Sequence, residues 1–303
     1  MENLSNYPSL LQPLQWAGPA ADNISTDILR LDQLHPIISG NKWFKLKDHL
    51  QQALQSSCRH IITFGGAWSN HLVATAYAAR QAGLTATGIV RGERPPALSA
   101  TLTAAMEYGM HLEFISRREY REKTEPRFLS RLTDRYPGAY IIPEGGAGLT
   151  GIRGSEDILQ TIDAGMYTHI ACAIGTGTMF LGLVRASSPG QLVIGVPVLK
   201  GIDQLSAIDP DSLLSPEQMA RARLLNGYHF GGYARHPPGL LDFMNEFYRE
   251  TGVPSDIVYT GKLFYAIRDS IRKDYFPEKA RLLLIHSGGL QGNLSLAPGR
   301  LNF

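Results

Sequence analysis

The stretch HPIISGNKWFKLKDHL, residues 35–50, sets three lysines, Lys42, Lys45 and Lys47, within six positions just after a Ser39-Gly40-Asn41 turn. A lysine becomes a nucleophilic amine near neutral pH only when it is withdrawn from water, because desolvation disfavours the ammonium. The pattern Phe44, Leu46, Leu50, Ala53, Leu54 draws one apolar helical stripe behind Asn41, a suitable N-cap. Lys45 and Lys47 are expected off that stripe, toward solvent. Lys42 stands instead at the helix entrance behind the short residues Gly40 and Asn41, where it can reach inward and condense with an aldehyde.

A second chemical feature is AIGTGTMFLGL, residues 173–183, a small-residue loop after a short apolar run. Its backbone N–H groups, the Thr176 and Thr178 hydroxyls and a following helix N-terminus can all face an anion. The same glycines would also serve a tight strand-to-helix connection with no ligand. A dinucleotide site is disfavoured, since Phe180 occupies the third glycine position and the first acidic residue after Gly175 is Asp203, beyond the ~20 residues at which a ribose-binding carboxylate is expected. The loop suits one phosphate. Paired with a reactive lysine, a one-phosphate loop makes pyridoxal 5'-phosphate the economical cofactor.

Other chemistries lack their residues. There is no G-x-x-x-x-G-K-[ST], Ser69 lies in GGAWSN rather than G-x-S-x-G, and the nine histidines include no H-E-x-x-H. Cys58 and Cys172 are the only cysteines and have no partners at zinc-ligand spacing, so neither a disulfide framework nor a metal site is expected.

The elements that must position these residues repeat one arrangement: a short apolar run, a Gly-rich turn, a helix-like segment. It recurs at residues 60–83, 139–162 and 168–186, with a related ending at 281–293. Alternation of this kind predicts an α/β protein with largely parallel sheets, whose ligands sit beyond the carboxyl ends of the strands. A chain of 303 residues, 44% hydrophobic, is long enough for two lobes. Its formal charge of +2, from 29 basic and 27 acidic residues, gives no basic stripe, so no nucleic acid partner is expected. The mixed-charge run at 117–123 predicts a solvated helix face. The start, MENLSNYPSLLQPLQWAG, has neither a signal-peptide nor a transit-peptide pattern, and no apolar run approaches the ~20 residues of a membrane span, so a cytoplasmic location without membrane attachment is expected.

In order and spacing, SGNKWFKLKDHL, FGGAWSNHLVATAYAA, IPEGGAGLTGIRG, AIGTGTMFLGL, FGGYAR, DIVYTGKLFYAI and IHSGGLQG resemble the 1-aminocyclopropane-1-carboxylate deaminase and D-cysteine desulfhydrase family of pyridoxal phosphate enzymes. The likeness runs from about residue 20 to residue 295. It implies the tryptophan synthase β fold (fold type II), with residues 1–44 and 158–303 as the large cofactor-binding domain and 45–157 as the small one. It also implies a homodimer acting on a small amino acid. Lys42 would be the Schiff-base lysine and Lys45 and Lys47 would not. Ser69, Asn70 and His71 would form the substrate-carboxylate pocket, with Asn70 also near the cofactor's phenolic oxygen. Gly175, Thr176, Gly177 and Thr178 would hold the phosphate, and Tyr233 and Tyr259 would be active-site tyrosines.

Two positions separate the branches. Ring-opening deaminases show Y-E-G-K and H-L-G-G, whereas this chain has Tyr259-Thr260-Gly261-Lys262 and His286-Ser287-Gly288-Gly289. A glutamate paired with the pyridine nitrogen keeps the ring a strong electron sink, and the Thr260 and Ser287 hydroxyls cannot. They suit β-elimination, so the expected reaction turns D-cysteine into pyruvate, ammonia and hydrogen sulfide, with either Lys42 or a tyrosinate as base. Cyclopropane ring opening to 2-oxobutanoate and ammonia is the alternative within the family. A noncatalytic small-molecule-binding protein is the alternative outside it.

Overall fold

The structure, a computed structural model, describes residues 10–16 and 23–303. Most of the N-terminal stretch read for targeting, residues 1–9 and 17–18, lies outside the described residues. The strands are β1 (Leu11–Leu14), β2 (Ser25–Leu29), β3 (His60–Gly65), β4 (Thr85–Arg91), β5 (Met110–Ile115), β6 (Tyr140–Ile141), β7 (His169–Ile174), β8 (Leu192–Pro197), β9 (Ala222–Leu224) and β10 (Arg281–Ile285). The helices are α1 (Asn41–Gln55), α2 (Asn70–Gln81), α3 (Ala100–Glu107), α4 (Arg117–Arg121), α5 (Pro126–Arg135), α6 (Leu149–Glu156), α7 (Thr178–Ala186), α8 (Pro216–Met219), α9 (Pro238–Thr251) and α10 (Thr260–Arg272).

Two sheets result. One has the order β1-β2-β10-β7-β8-β9, the other β5-β4-β3-β6. Every pairing is parallel except β1 with β2 at an edge. Parallel strands covered by helices on both faces read as continuous apolar runs, and β7, HIACAI, is buried at all six positions. The expected α/β architecture of parallel-rich sheets flanked by helices is therefore observed. The runs at 60–83 and 168–186 are strand, turn and helix; that at 139–162 has a strand of only two residues, and the ending at 281–293 turns into a 3-10 helix instead of an α-helix.

One apolar core, including Leu29, Phe44, Leu72, Ile142, Phe180 and Leu283, draws on elements of both sheets. Helices α1 and α6 approach unusually closely: a Cβ on Gly154 would stand 2.2 Å from the carbonyl oxygen of Phe44. The mixed-charge run forms α4 and its exit, mostly exposed apart from the buried Tyr120. No helix among the described residues is long and apolar enough to cross a membrane.

Helix α1 departs from expectation in three ways. Gly40, with φ 68°, is its N-cap, and Asn41 is the first helical residue. The Asn41 N–H is satisfied by the carbonyl of Ser287 at 3.1 Å, so no side-chain cap is required. Lys45, expected in solvent, is only 4% exposed, whereas Leu54, expected on the buried stripe, is 51% exposed. Lys47 does reach the surface, where it pairs with Asp157 and Asp48.

Candidate active site

The carboxyl ends of β3, β4, β7 and β10 open on one cavity of about 450 Å³, as parallel α/β sheets require. Lys42 reaches it from the first turn of α1. Its Nζ donates to Asn41 Oδ1 at 2.8 Å, and burial lowers the ammonium to about 8, partly opposed by the Asp256 carboxylate. Lys45 lines the same cavity, lowered well below its usual range by burial and then by Lys42. Neither lysine has an ion-pair partner among the described residues, so a bound anion would find two uncompensated amines. The sequence did carry the signal for Lys45, because positions i and i+3 share a helix face.

The phosphate-loop residues are together. Gly177, at φ 79°, takes the left-handed conformation that starts α7, and the Thr176 and Thr178 hydroxyls lie 2.9 Å apart at the helix mouth. Gly145 and Gly146 bring a facing loop against them: a Cβ on Gly145 would stand 3.2 Å from Thr176, and one on Gly146 3.1 Å from Lys45. Thr176, but not the buried Thr178, lines the cavity; the N–H groups of a helix start, the Thr176 hydroxyl and a buried amine are groups that could hold one phosphate.

Ser69, Asn70 and His71 also line the cavity. Ser69 is the N-cap of α2, its Oγ accepting from the Leu72 N–H at 3.4 Å. Asn70 donates to the Gly289 carbonyl at 3.0 Å, while its Oδ1 is buried without a partner. His71 Nε2 lies 2.8 Å from Thr63 Oγ1, and that hydroxyl donates to the Ile142 carbonyl, so Nε2 carries the ring proton. Burial, Lys42, His49 and Lys45 all keep the ring neutral, leaving Nδ1 a bare acceptor. In that tautomer the His71 ring has no free donor for a carboxylate, and the Ser69 hydroxyl with the leading N–H groups of α2 are the donors that this part of the lining presents.

Tyr259 and Tyr233 both line the cavity. A Cβ on Gly175 would stand 3.0 Å from the Tyr259 ring. Burial first, then Tyr233 and Asp256, hold the Tyr259 hydroxyl well above its usual range. Ser287 lines the cavity; Thr260 does not. The Thr260 hydroxyl donates to Asp256 Oδ1 at 2.8 Å and accepts from the Asp256 N–H at 2.8 Å. The fully buried Asp256 also accepts from the N–H groups of Val258, Tyr259 and Thr260, which fixes the entrance to α10 and with it the place of Tyr259. Asp256, Glu144 and Lys262 lie within stretches quoted for the resemblance but were given no role there, and Arg91 lies outside those stretches. Among the described residues no cluster of three or more metal-ligating side chains occurs.

The orphaned Asn70 and His71 atoms, the two lysines without ion-pair partners among the described residues and the Gly175–Thr178 loop fit an aldehyde cofactor carrying one phosphate, between two largely parallel sheets. That is the class of fold-type-II pyridoxal phosphate enzymes. The profile of the family described as "Pyridoxal-phosphate dependent enzyme" matches residues 12–288, and the chain belongs to that family. It is 29% identical to the mitochondrial bifunctional D-cysteine desulfhydrase/1-aminocyclopropane-1-carboxylate deaminase of Arabidopsis thaliana, over 96% of this chain and 78% of that protein. It is 26% identical to the D-cysteine desulfhydrase of Klebsiella pneumoniae, over 98% of this chain and 99% of that one. A solved structure described as an ACC deaminase homologue superposes with a TM-score of 0.81 at 26% identity, covering 96% of this chain and 92% of the other.

Proposed function

We propose that the chain is a pyridoxal phosphate-dependent lyase that removes the β-substituent of a small amino acid, with D-cysteine as substrate and pyruvate, ammonia and hydrogen sulfide as products. One observation carries this reading. Lys42, an amine lowered to about 8, opens on a cavity whose wall at Tyr259 and Ser287 presents hydroxyls, while the carboxylate behind it, Asp256, is occupied by three N–H groups and Thr260. Glu144, the one acidic residue lining the cavity among the described residues, pairs with Lys123 at 3.3 Å.

Lys42 would hold the cofactor's aldehyde carbon, Lys45 and residues 175–178 its phosphate, Asn70 its phenolic oxygen and Ser287 its ring nitrogen. Thr260 would act behind that wall, through Asp256. When bound, pyridoxal phosphate supplies an electron sink conjugated to the substrate Cα. The chain's own residues do the rest. Ser69 Oγ and the first N–H groups of α2 orient the substrate carboxylate, where the helix dipole favours negative charge. Lys42, half neutral at about pH 8, takes the Cα proton. The raised hydroxyls of Tyr259 and Tyr233 keep their protons, which makes them donors toward a departing thiolate rather than bases. This favours Lys42 over a tyrosinate as the base.

Ring opening of 1-aminocyclopropane-1-carboxylate is the second reading, favoured by what the Arabidopsis relative and the superposed structure are called. The test is to supply cofactor-loaded protein separately with D-cysteine, L-cysteine and 1-aminocyclopropane-1-carboxylate and to measure sulfide, pyruvate and 2-oxobutanoate. Sulfide with pyruvate from D-cysteine is the expected result. 2-Oxobutanoate with little sulfide transfers the assignment to ring opening, and no product with no borohydride-trapped Lys42 leaves a binding protein. A homodimer in the cytoplasm is part of this proposal, and light scattering of the purified protein checks the dimer.

A further inference from the structure

Lys262 is fully buried, yet it is neither a cavity residue nor part of an ion pair among the described residues. Its Nζ donates to two backbone carbonyls, those of His229 at 2.9 Å and Gly232 at 2.7 Å. The segment so held is strained: Phe230, Gly231, Gly232 and Ala234 all have positive φ, at 53°, 95°, 116° and 54°. A non-glycine residue pays for such a conformation, and two of these four are not glycine. The same segment carries Tyr233, a cavity-lining residue whose hydroxyl lies close enough to Tyr259 for each to shift the other's ionisation.

Taking an ammonium out of water is costly, and packing alone would be better served by an apolar side chain of similar volume. What an apolar residue could not do is bond two carbonyls of a loop that lacks a regular hydrogen-bonding ladder. We propose that Lys262 is a positioning residue that pins residues 229–232 to the start of α10 and so sets Tyr233 beside Tyr259 at the cavity wall. This rests on the reading of Tyr233 as an active-site group, and it gives the lysine of Tyr259-Thr260-Gly261-Lys262 a role separate from that of Lys42.

The test compares Lys262→Met, Lys262→Gln, Tyr233→Phe and Lys262→Met/Tyr233→Phe as cofactor-loaded proteins. The first readout needs no turnover: amide hydrogen exchange of residues 229–234 should quicken at least tenfold in Lys262→Met, while the amides of α9 and the middle of α10 keep the wild-type rate. Lys262→Gln, which retains donors, should recover part of that protection. The second is kinetic. Lys262→Met should lower kcat at least tenfold with KM changed less than threefold, and the double variant should be no more than twofold slower than Tyr233→Phe alone. Unchanged exchange in the segment, or losses that multiply in the double variant, would overturn the proposal. Insolubility of both Lys262→Met and Lys262→Gln would also overturn it, since the lysine would then serve the core as a whole. If the wild type acts on none of the three amino acids, the exchange comparison still decides the matter, so failure of the functional reading is told apart from failure of this one.

Discussion

Lys42 and Lys45 sit one helical turn apart with no carboxylate among the described residues bonded to either, and two buried ammonium groups at that spacing oppose each other's charge. Burial disfavours the charged form, so Lys42 is lowered to about 8 and its neutral, nucleophilic fraction grows as pH rises through that value. An unburied lysine would not do so until ~10.4. Cofactor-free protein exposed to pyridoxal and borohydride should therefore take up label at Lys42 with a midpoint near pH 8, read by peptide mass, and Lys42→Ala should lose both the label and turnover. A midpoint near the free-lysine value would mean that the amine is solvated and the assignment wrong. Lys42 itself was legible because a short-residue turn leads into it. The burial of Lys45 was not read, because hydropathy scores a lysine as outward-facing whether its neighbour is water or a polar cavity. The place of Thr260 behind the cavity wall was not legible for a different reason: its partner, Asp256, lies four residues back in an irregular segment with no periodic signature.

Helices α1, α2 and α7 each deliver a site residue from an N-terminus, and each entrance depends on a local device. For α1 the device is a close approach. Gly40 has φ 68°, and a Cβ on it would stand 1.8 Å from the Ser287 carbonyl oxygen and 2.6 Å from the Gly288 nitrogen. Backbone cannot yield as a flexible side chain can, so Gly40→Ala should cost about 3 kcal/mol or more and should displace Lys42 from the Ser287 loop together. Thermal melting and cofactor uptake measure the two effects; wild-type values for both would show that the loops are not locked together there. Strand, glycine turn and helix were readable as a unit because apolar runs and glycines mark both boundaries. The true cap of α1 was not, since Asn41 is a good capping residue by type and only the Ser287 carbonyl, 246 positions away in the chain, makes it unnecessary.

At the scale of the molecule, the cavity lies where the carboxyl ends of the two sheets face each other, and neither sheet alone completes it. Gly175 to Thr178 and Ser287 follow strands of the larger sheet, Ser69 to His71 follow a strand of the smaller, and Lys42 comes from the helix that follows β2. A ligand touching all three groups binds the folded arrangement and not the unfolded chain, so it must stabilise the fold by mass action, by about 2.7 kcal/mol at a hundredfold excess over Kd. Pyridoxal phosphate should accordingly raise the melting temperature in proportion to the logarithm of its concentration. In Lys42→Ala the covalent attachment is lost but Lys45 and the phosphate loop remain, so a smaller shift should persist with pyridoxal phosphate and nearly vanish with pyridoxal. An equal shift from both compounds in that variant would mean that the Gly175–Thr178 loop is a tight connection and no phosphate site. The glycines alone allowed that outcome; the unpaired Lys45 beside them is the reason to expect the other.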